Sequence, residues 1–202
     1  MHYRSPLHHR LPAAAIAATF TAIVAALLAG CAATGPSAPV VPDNLKPPAG
    51  QTLTLAAYAV GVQIYECQAG KADSARFEWV FKAPEAALAD AAGNNIGKHY
   101  AGPTWEAKDG SKVVGELKAR DNGPTPSAIP WLLLAAKSNA GQGVFGNTRS
   151  IQRVQTVGGN APGPNCAPAE AGKVARVPYT ATYYFYDSRP GTAMRAGDGA
   201  PM

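Results

Sequence analysis

The sequence predicts an all-β fold with little helix, built as one domain of about eight antiparallel strands in a sandwich or a barrel. Three observations lead there. Short segments of alternating apolar and polar residues recur between Gly-, Pro- and Asn-rich breaks. Asp109-Gly110 sits between two extended segments, the pattern of a tight hairpin whose glycine accepts the positive φ of a primed turn. No segment has the length of the crossover helix that parallel strands require.

Ahead of that domain, Arg4 and Arg10 precede an apolar stretch from Leu11 to Leu28, and small residues lead on to Cys31. This is the layout of an export signal. Leu28-Ala29-Gly30-Cys31 resembles the lipobox of bacterial lipoproteins. The resemblance implies a signal peptide over 1–30 and acylation of Cys31, each buried methylene adding about 0.8 kcal/mol to membrane anchoring. Ala32 stands where inner-membrane retention typically uses Asp, which points to the outer membrane and a domain facing the periplasm of a bacterial envelope. Residues 31–48 carry Pro36, Pro39, Pro42, Pro47 and Pro48 and read as an extended tether. Residues 188–202, rich in Gly, Ala and Pro, read as a disordered tail. The β-rich domain is then 49–187, long enough to bury a sizeable core.

Within it, Leu53–Tyr58 and Gly61–Cys67 alternate as half-buried strands. Arg76–Lys82 places Phe77, Trp79 and Phe81 on one face, and Pro84 is expected to end it. Glu85–Ala92, Ala-rich around Leu88, is the one helix candidate, closed by Asp90 and Gly93-Asn94-Asn95. Thr104–Ala107 and Lys112–Leu117 flank the Asp109-Gly110 turn. Trp131–Ala136 is continuously apolar, as in a strand covered on both faces. Ile151, Arg153, Gln155 and Val157 alternate with Gln152, Val154 and Thr156. Tyr179–Tyr186 closes the domain, with Tyr183/Phe185 and Tyr184/Tyr186 on opposite faces, so one aromatic face is expected outside the core.

Composition narrows the function classes. The chain has 18 Lys and Arg against 13 Asp and Glu. Loss of the leader removes two of the cations, and the rest are scattered without a run. Nucleic-acid binding needs clustered cations facing phosphates, so no nucleic-acid partner is expected. Cys67 and Cys166 remain after Cys31, and in an oxidising compartment two such thiols read as one disulfide. Closing a loop of about 100 residues contributes about 4.7 kcal/mol in the chain-entropy picture. Two distant cysteines and a single domain histidine do not have zinc-site spacing, so no metal and no cofactor are expected.

The densest polar and aromatic cluster is Gly97 to Glu106. His99, Tyr100, Trp105 and Glu106 are the candidate ligand-binding residues. His99 titrates near neutrality and Glu106 or Asp109 would orient it, with Ser111 or Ser150 as nucleophile, which makes His99 and Glu106 the candidate catalytic pair of a hydrolase. No Gly-x-Ser-x-Gly elbow supports that reading. Glu66, Glu78, Glu106 and Asp109 are the carboxylates from which a glycosidase would need two facing each other across a cleft. Asp90 with Asn94 and Asn95 reads as a turn rather than a calcium loop. Gly141–Gly146 matches G-x-G-x-x-G, yet it leads into an alternating strand instead of a helix and lacks an acidic residue at a second strand end, so it reads as a glycine loop. Aromatic residues on a sheet can also stack on sugars or hold an apolar ligand.

These segments together, Gly61–Cys67, Gly97–Glu106, Ile129-Pro130-Trp131-Leu132, Ile151-Gln152-Arg153-Val154 and Val177-Pro178-Tyr179, resemble a bacterial and fungal secreted family catalogued as domain of unknown function 3455. The resemblance spans Leu45 to Tyr186 and implies no activity. The leading expectation is a lipid-anchored, non-enzymatic protein that binds a small-molecule, glycan or protein ligand near His99, Tyr100, Trp105 and Glu106. The alternatives are the hydrolase and a purely structural envelope component.

Overall fold

The computed structural model describes residues 1–2, 35–164 and 166–188. Eight strands follow one another: β1 (Thr52–Ala69), β2 (Phe77–Ala89), β3 (Asn95–Tyr100), β4 (Thr104–Ala107), β5 (Lys112–Asp121), β6 (Trp131–Ala140), β7 (Thr148–Gly158) and β8 (Val174–Asp187). Each pairs antiparallel with the next, and β8 returns to β1, so the sheet is a closed up-and-down barrel. Closure removes both sheet edges. Of the two all-β architectures the pattern allows, the barrel is the one built. The export signal, the lipobox, Cys31 and the tail beyond Ser188 lie outside the described residues.

Three local expectations are overturned. Leu53–Tyr58 and Gly61–Cys67 are one strand, β1, because Gly61 does not break it. A Cβ there would lie 2.1 Å from the Glu85 carbonyl oxygen, so this glycine marks close approach of two backbones. Glu85–Ala92 is not a helix, and Pro84 does not end a strand. β2 runs through Pro84 as far as Ala89, with Gln63 opposite Pro84 and Tyr58 opposite Ala89, and Asp90–Ala92 belong to the turn that follows. Pairing on both sides outweighs the helix propensity of alanine, which amounts to only tenths of a kcal/mol per residue. β3 pairs with β2 only over Ala86–Ala89, so Pro84 occupies a stretch without a β3 neighbour, where a missing N–H goes unpunished.

The hairpin at Asp109-Gly110 forms as the sequence predicts, with Gly110 at φ 83° and Trp105 opposite Val113. The barrel interior is filled by inward stripes that include Ala59, Leu88, Trp105, Ile151, Tyr183 and Phe185. Small residues make room for large ones. Gly115 lies against the Trp105 ring, with its absent Cβ only 2.9 Å from that ring.

The second tyrosine face is covered too. Tyr184 and Tyr186 point outward with Val154 and are packed under Val41 and Leu53. The covering segment carries a 3-10 turn at Asp43–Leu45, in which Leu45 is fully buried. Gln152 Nε2 donates to the Leu45 carbonyl (2.7 Å), and the Tyr186 hydroxyl donates to Gln152 Oε1 (2.7 Å). The Pro-rich segment is therefore not wholly an extended tether, since its second half is a strap on the barrel wall.

Cys67 and Cys166 form the expected disulfide, with a sequence separation of 99. It joins the end of β1 to the loop before β8. That bond fits a secreted or envelope protein. No helix among the described residues is long and apolar enough to cross a membrane.

Candidate functional site

The β3–β4 hairpin decides which candidate residues can meet. His99 is opposite Trp105, and Lys98 is opposite Glu106. Side chains alternate across a strand, so His99 and Trp105 project into the barrel while Tyr100 and Glu106 project outside. The four sequence candidates form two separate groups, and the catalytic pairing of His99 with Glu106 is not built.

The outer group is an ion-pair cluster. The Tyr100 hydroxyl donates to Glu106 Oε2 (2.7 Å), and Lys112 and Lys98 approach the same oxygen at 3.4 and 3.6 Å. The Tyr100 hydrogen bond, then Lys112 and Lys98, hold the Glu106 carboxyl below its ordinary range. A general base at neutral pH needs the opposite shift. Asp109 and Ser111 are engaged elsewhere. The Ser111 hydroxyl donates to Asp109 Oδ1 (2.6 Å) and accepts from the Phe145 N–H (3.1 Å), and Asp109 Oδ2 accepts from the Val144 N–H (2.9 Å). These bonds fix the Gly141–Gly146 loop across one barrel end and drive Phe145, fully buried, into it against Phe185 with ring centroids 4.6 Å apart. The glycine loop is a plug, and no helix follows it.

The other part of the interior is open to the side. β3 and β4 have only 6 and 4 residues, against 13 in β2 and 10 in β5. β4 reaches β5 only as far as Val114, opposite Thr104. The upper halves of β2 and β5 thus flank a notch whose floor is the Gly102-Pro103 turn. Phe81 on β2 and Leu117 on β5 stand on its two edges, 49% and 53% exposed. Behind the notch lies a cavity of about 340 Å³, whose walls include His99, Trp105, Leu132, Arg153 and Tyr183. A second hollow of about 310 Å³ shares Phe81, Leu117, Leu132 and Arg153 with it and adds Gln63 and Tyr65. Arg153 therefore stands between the two. A space of this size is typical of small-molecule sites.

The polar groups of the cavity are few and defined. His99 is 3% exposed, and its Nδ1 is 2.9 Å from the Thr104 carbonyl oxygen. A carbonyl only accepts, so Nδ1 carries the proton and Nε2 keeps its lone pair. Burial pushes the imidazole down to about 3, so it is neutral at physiological pH. Its ring stacks on Trp105 with centroids 4.3 Å apart and 15° between the planes. Trp105 Nε1 and Gln63 Nε2 are buried donors without a well-aligned partner.

Arg153 is the residue that sequence reasoning missed. It shares the inward stripe of β7 with Ile151, and is only partly buried. Its Nε and Nη2 both donate to the Pro130 carbonyl, at 3.1 and 2.8 Å. Three of a guanidinium's five N–H donors remain for the Tyr183 phenol and for the cavity. No carboxylate among the described residues pairs with it. The face it shares with Ile151 also carries Arg149 and Gln155, so no local signal singles it out.

The aromatic residues that could hold a ligand are therefore mostly internal. Tyr179, Tyr183 and Trp105 are within the barrel, and no surface strip is formed by them. No group of three or more His, Cys, Asp or Glu among the described residues is arranged to hold a metal.

No curated protein and no solved structure matches the chain. A family model described as Protein of unknown function (DUF3455) matches residues 48–187. That span contains every strand and every residue of the cavity. On a match over more than half its length, which takes in the whole barrel, the chain belongs to the DUF3455 family.

Proposed function

We propose that this protein is a non-enzymatic carrier or receptor that takes a small molecule into its barrel through the notch between β2 and β5. The observation that carries this reading is the side opening itself: a cavity of about 340 Å³ reached between two exposed apolar side chains, Phe81 and Leu117. Apolar groups stay exposed on a surface at a cost unless something uses them. The floor and walls are apolar, and a small set of fixed polar groups would orient an occupant. His99 and Trp105 keep the ligand-binding role that the sequence suggested for them, while Tyr100 and Glu106 do not belong to this cavity. Acylation of Cys31 would hold the barrel at the outer membrane of a bacterial envelope, with the disulfide protecting it in the periplasm. Support for the anchor comes from the lipobox alone.

The test is titration of the full chain with N-phenyl-1-naphthylamine, a neutral dye that fluoresces in apolar surroundings. Wild-type protein gives a saturable rise with one site per chain. Leu132→Trp, which fills the cavity from β6, loses that rise by tenfold or more while keeping the barrel's circular-dichroism spectrum. Saturable binding that is unaffected by filling the cavity, or no saturable binding at all, would contradict the reading. For the anchor, mass spectrometry of the protein from its native host is expected to find acyl groups on Cys31, and an unmodified Cys31 would refute it.

A further inference from the structure

We propose that the occupant of this cavity is a small organic carboxylate with a flat aromatic or short aliphatic body, its carboxylate on Arg153 and its body against Trp105, Leu132 and Leu134. The inference rests on the cavity-binding reading above and adds the charge and size of the ligand.

The electrostatics of the walls carry it. The two hollows are lined by Lys82, Arg120 and Arg153, and by no Asp or Glu among the described residues. Lys82 already has an anion, with Glu66 Oε2 at 3.2 Å. Arg153 has none, and a single backbone carbonyl takes two of its donors. A partly buried cation without a counter-charge is costly, and an anion from outside is the simplest way to complete it. A planar guanidinium with free N–H groups fits a planar carboxylate in the two-bond geometry. The surrounding titratable groups do not supply a negative charge. Burial raises the Tyr65, Tyr179 and Tyr183 phenols, so all three are neutral at physiological pH.

The remaining polar groups favour the same ligand class. Gln63 directs its amide toward the Tyr179 phenol, and Trp105 Nε1 is buried in the wall without a partner, so neither adds a negative charge to the cavity. His99 Nε2 is a lone pair suited to one hydroxyl or N–H on the ligand body. A cationic ligand would meet Arg153 at close range and no carboxylate. A neutral sugar would find too few hydrogen-bonding groups for its hydroxyls. A volume of about 340 Å³ is at the lower end of small-molecule sites, which suits one or two rings and excludes a long acyl chain.

The test compares three probes of one shape on the full chain by calorimetry: 2-naphthoate, 2-naphthamide and 2-naphthylmethylamine. Wild-type protein is expected to bind the acid at least tenfold more tightly than the amide and to show no measurable affinity for the amine. Arg153→Gln should erase the acid-over-amide preference while leaving amide affinity within about threefold, and Arg153→Lys should keep part of it. Because the acid-to-amide ratio is read on unaltered protein, the outcome stands even where a variant folds poorly. Equal binding of all three probes, or a preference that survives Arg153→Gln, would overturn the carboxylate assignment. The same holds where the neutral dye binds but none of the naphthyl probes does. Failure of the dye as well would remove the cavity reading itself.

Discussion

The His99 and Trp105 rings lie face to face across the β3–β4 hairpin, with their centroids 4.3 Å apart and 15° between their planes. Tyr183 closes on both, at 5.0 Å from His99 and 5.2 Å from Trp105. An imidazole in this setting cannot easily take up a proton, and the pH dependence of stability follows from that.

The folded-state pKa of His99, about 3, is below the ordinary 6.5. As pH falls through 6.5, the unfolded chain binds the proton first. The stability that His99 confers is complete above about pH 6.5 and is lost as pH drops toward 3. At pH 4.5 the loss relative to pH 7 is about 2–3 kcal/mol. Urea midpoints at the two pH values measure it. His99→Gln, which can still donate to the Thr104 carbonyl, is expected to remove that part of the pH dependence. Equal slopes in the two proteins would refute the assignment.

The Cys67–Cys166 bond closes a loop with a sequence separation of 99. Loss of a bond across such a loop costs about 3–5 kcal/mol. Unfolding of the double variant Cys67→Ser/Cys166→Ser, or of wild-type protein in dithiothreitol, is expected to shift by that amount. β1 and β8 are already hydrogen-bonded beside the bond, with Glu66 opposite Val174, so the barrel should still form at low temperature.

Phe145 is the only aromatic side chain of the Gly141–Gly146 loop and is fully buried. Phe145→Ala removes the plug and leaves a void beside Phe185, an expected loss of about 3–5 kcal/mol. Thermal unfolding reads it. Val144, 52% exposed and next in the chain, serves as the control, since Val144→Ala should change stability by less than about 0.5 kcal/mol.

Leu45 separates a strap from a tether. It is fully buried, whereas Val40 is 95% exposed. Leu45→Ala is expected to cost about 2 kcal/mol or more, as for a core leucine, and Val40→Ala nothing measurable. Indifference to both would mean that the segment does not hold the wall.

Much of the fold can be read from local pattern. The alternation Ile151/Arg153 against Gln152/Val154 marks β7 as a strand, Asp109-Gly110 places a hairpin, and two thiols imply one bond. The strand through Ala83–Ala89 cannot be read this way, because alanine prefers helix locally and the strand is imposed by pairing with β1 along its length and with β3 over Ala86–Ala89. β3 is hidden for a related reason, since its one β-branched residue, Ile96, stands between Asn95 and Gly97, which read as a turn. Its strand state comes from pairing with β2 and β4. The count of eight nevertheless comes out right, because one merger in β1 offsets the gain of β3. The candidate site was half legible. His99 and Trp105 stand out by residue type, but their separation from Tyr100 and Glu106 depends on the register of a hairpin. Arg153 joins them only when β7 and β3 are brought to opposite walls of one barrel, a relation that no local pattern contains.

A ligand seated inside the barrel against Trp105 is tested most directly by the indole N–H resonances of Trp79, Trp105 and Trp131. Trp105 is 1% exposed, and its Nε1 has no partner. On titration with 2-naphthoate, the Trp105 indole signal should move with saturation while that of Trp79, which lines neither hollow, stays in place. A still Trp105 signal, with shifts confined to Lys98, Tyr100 and Glu106 on the outer face, would contradict the account.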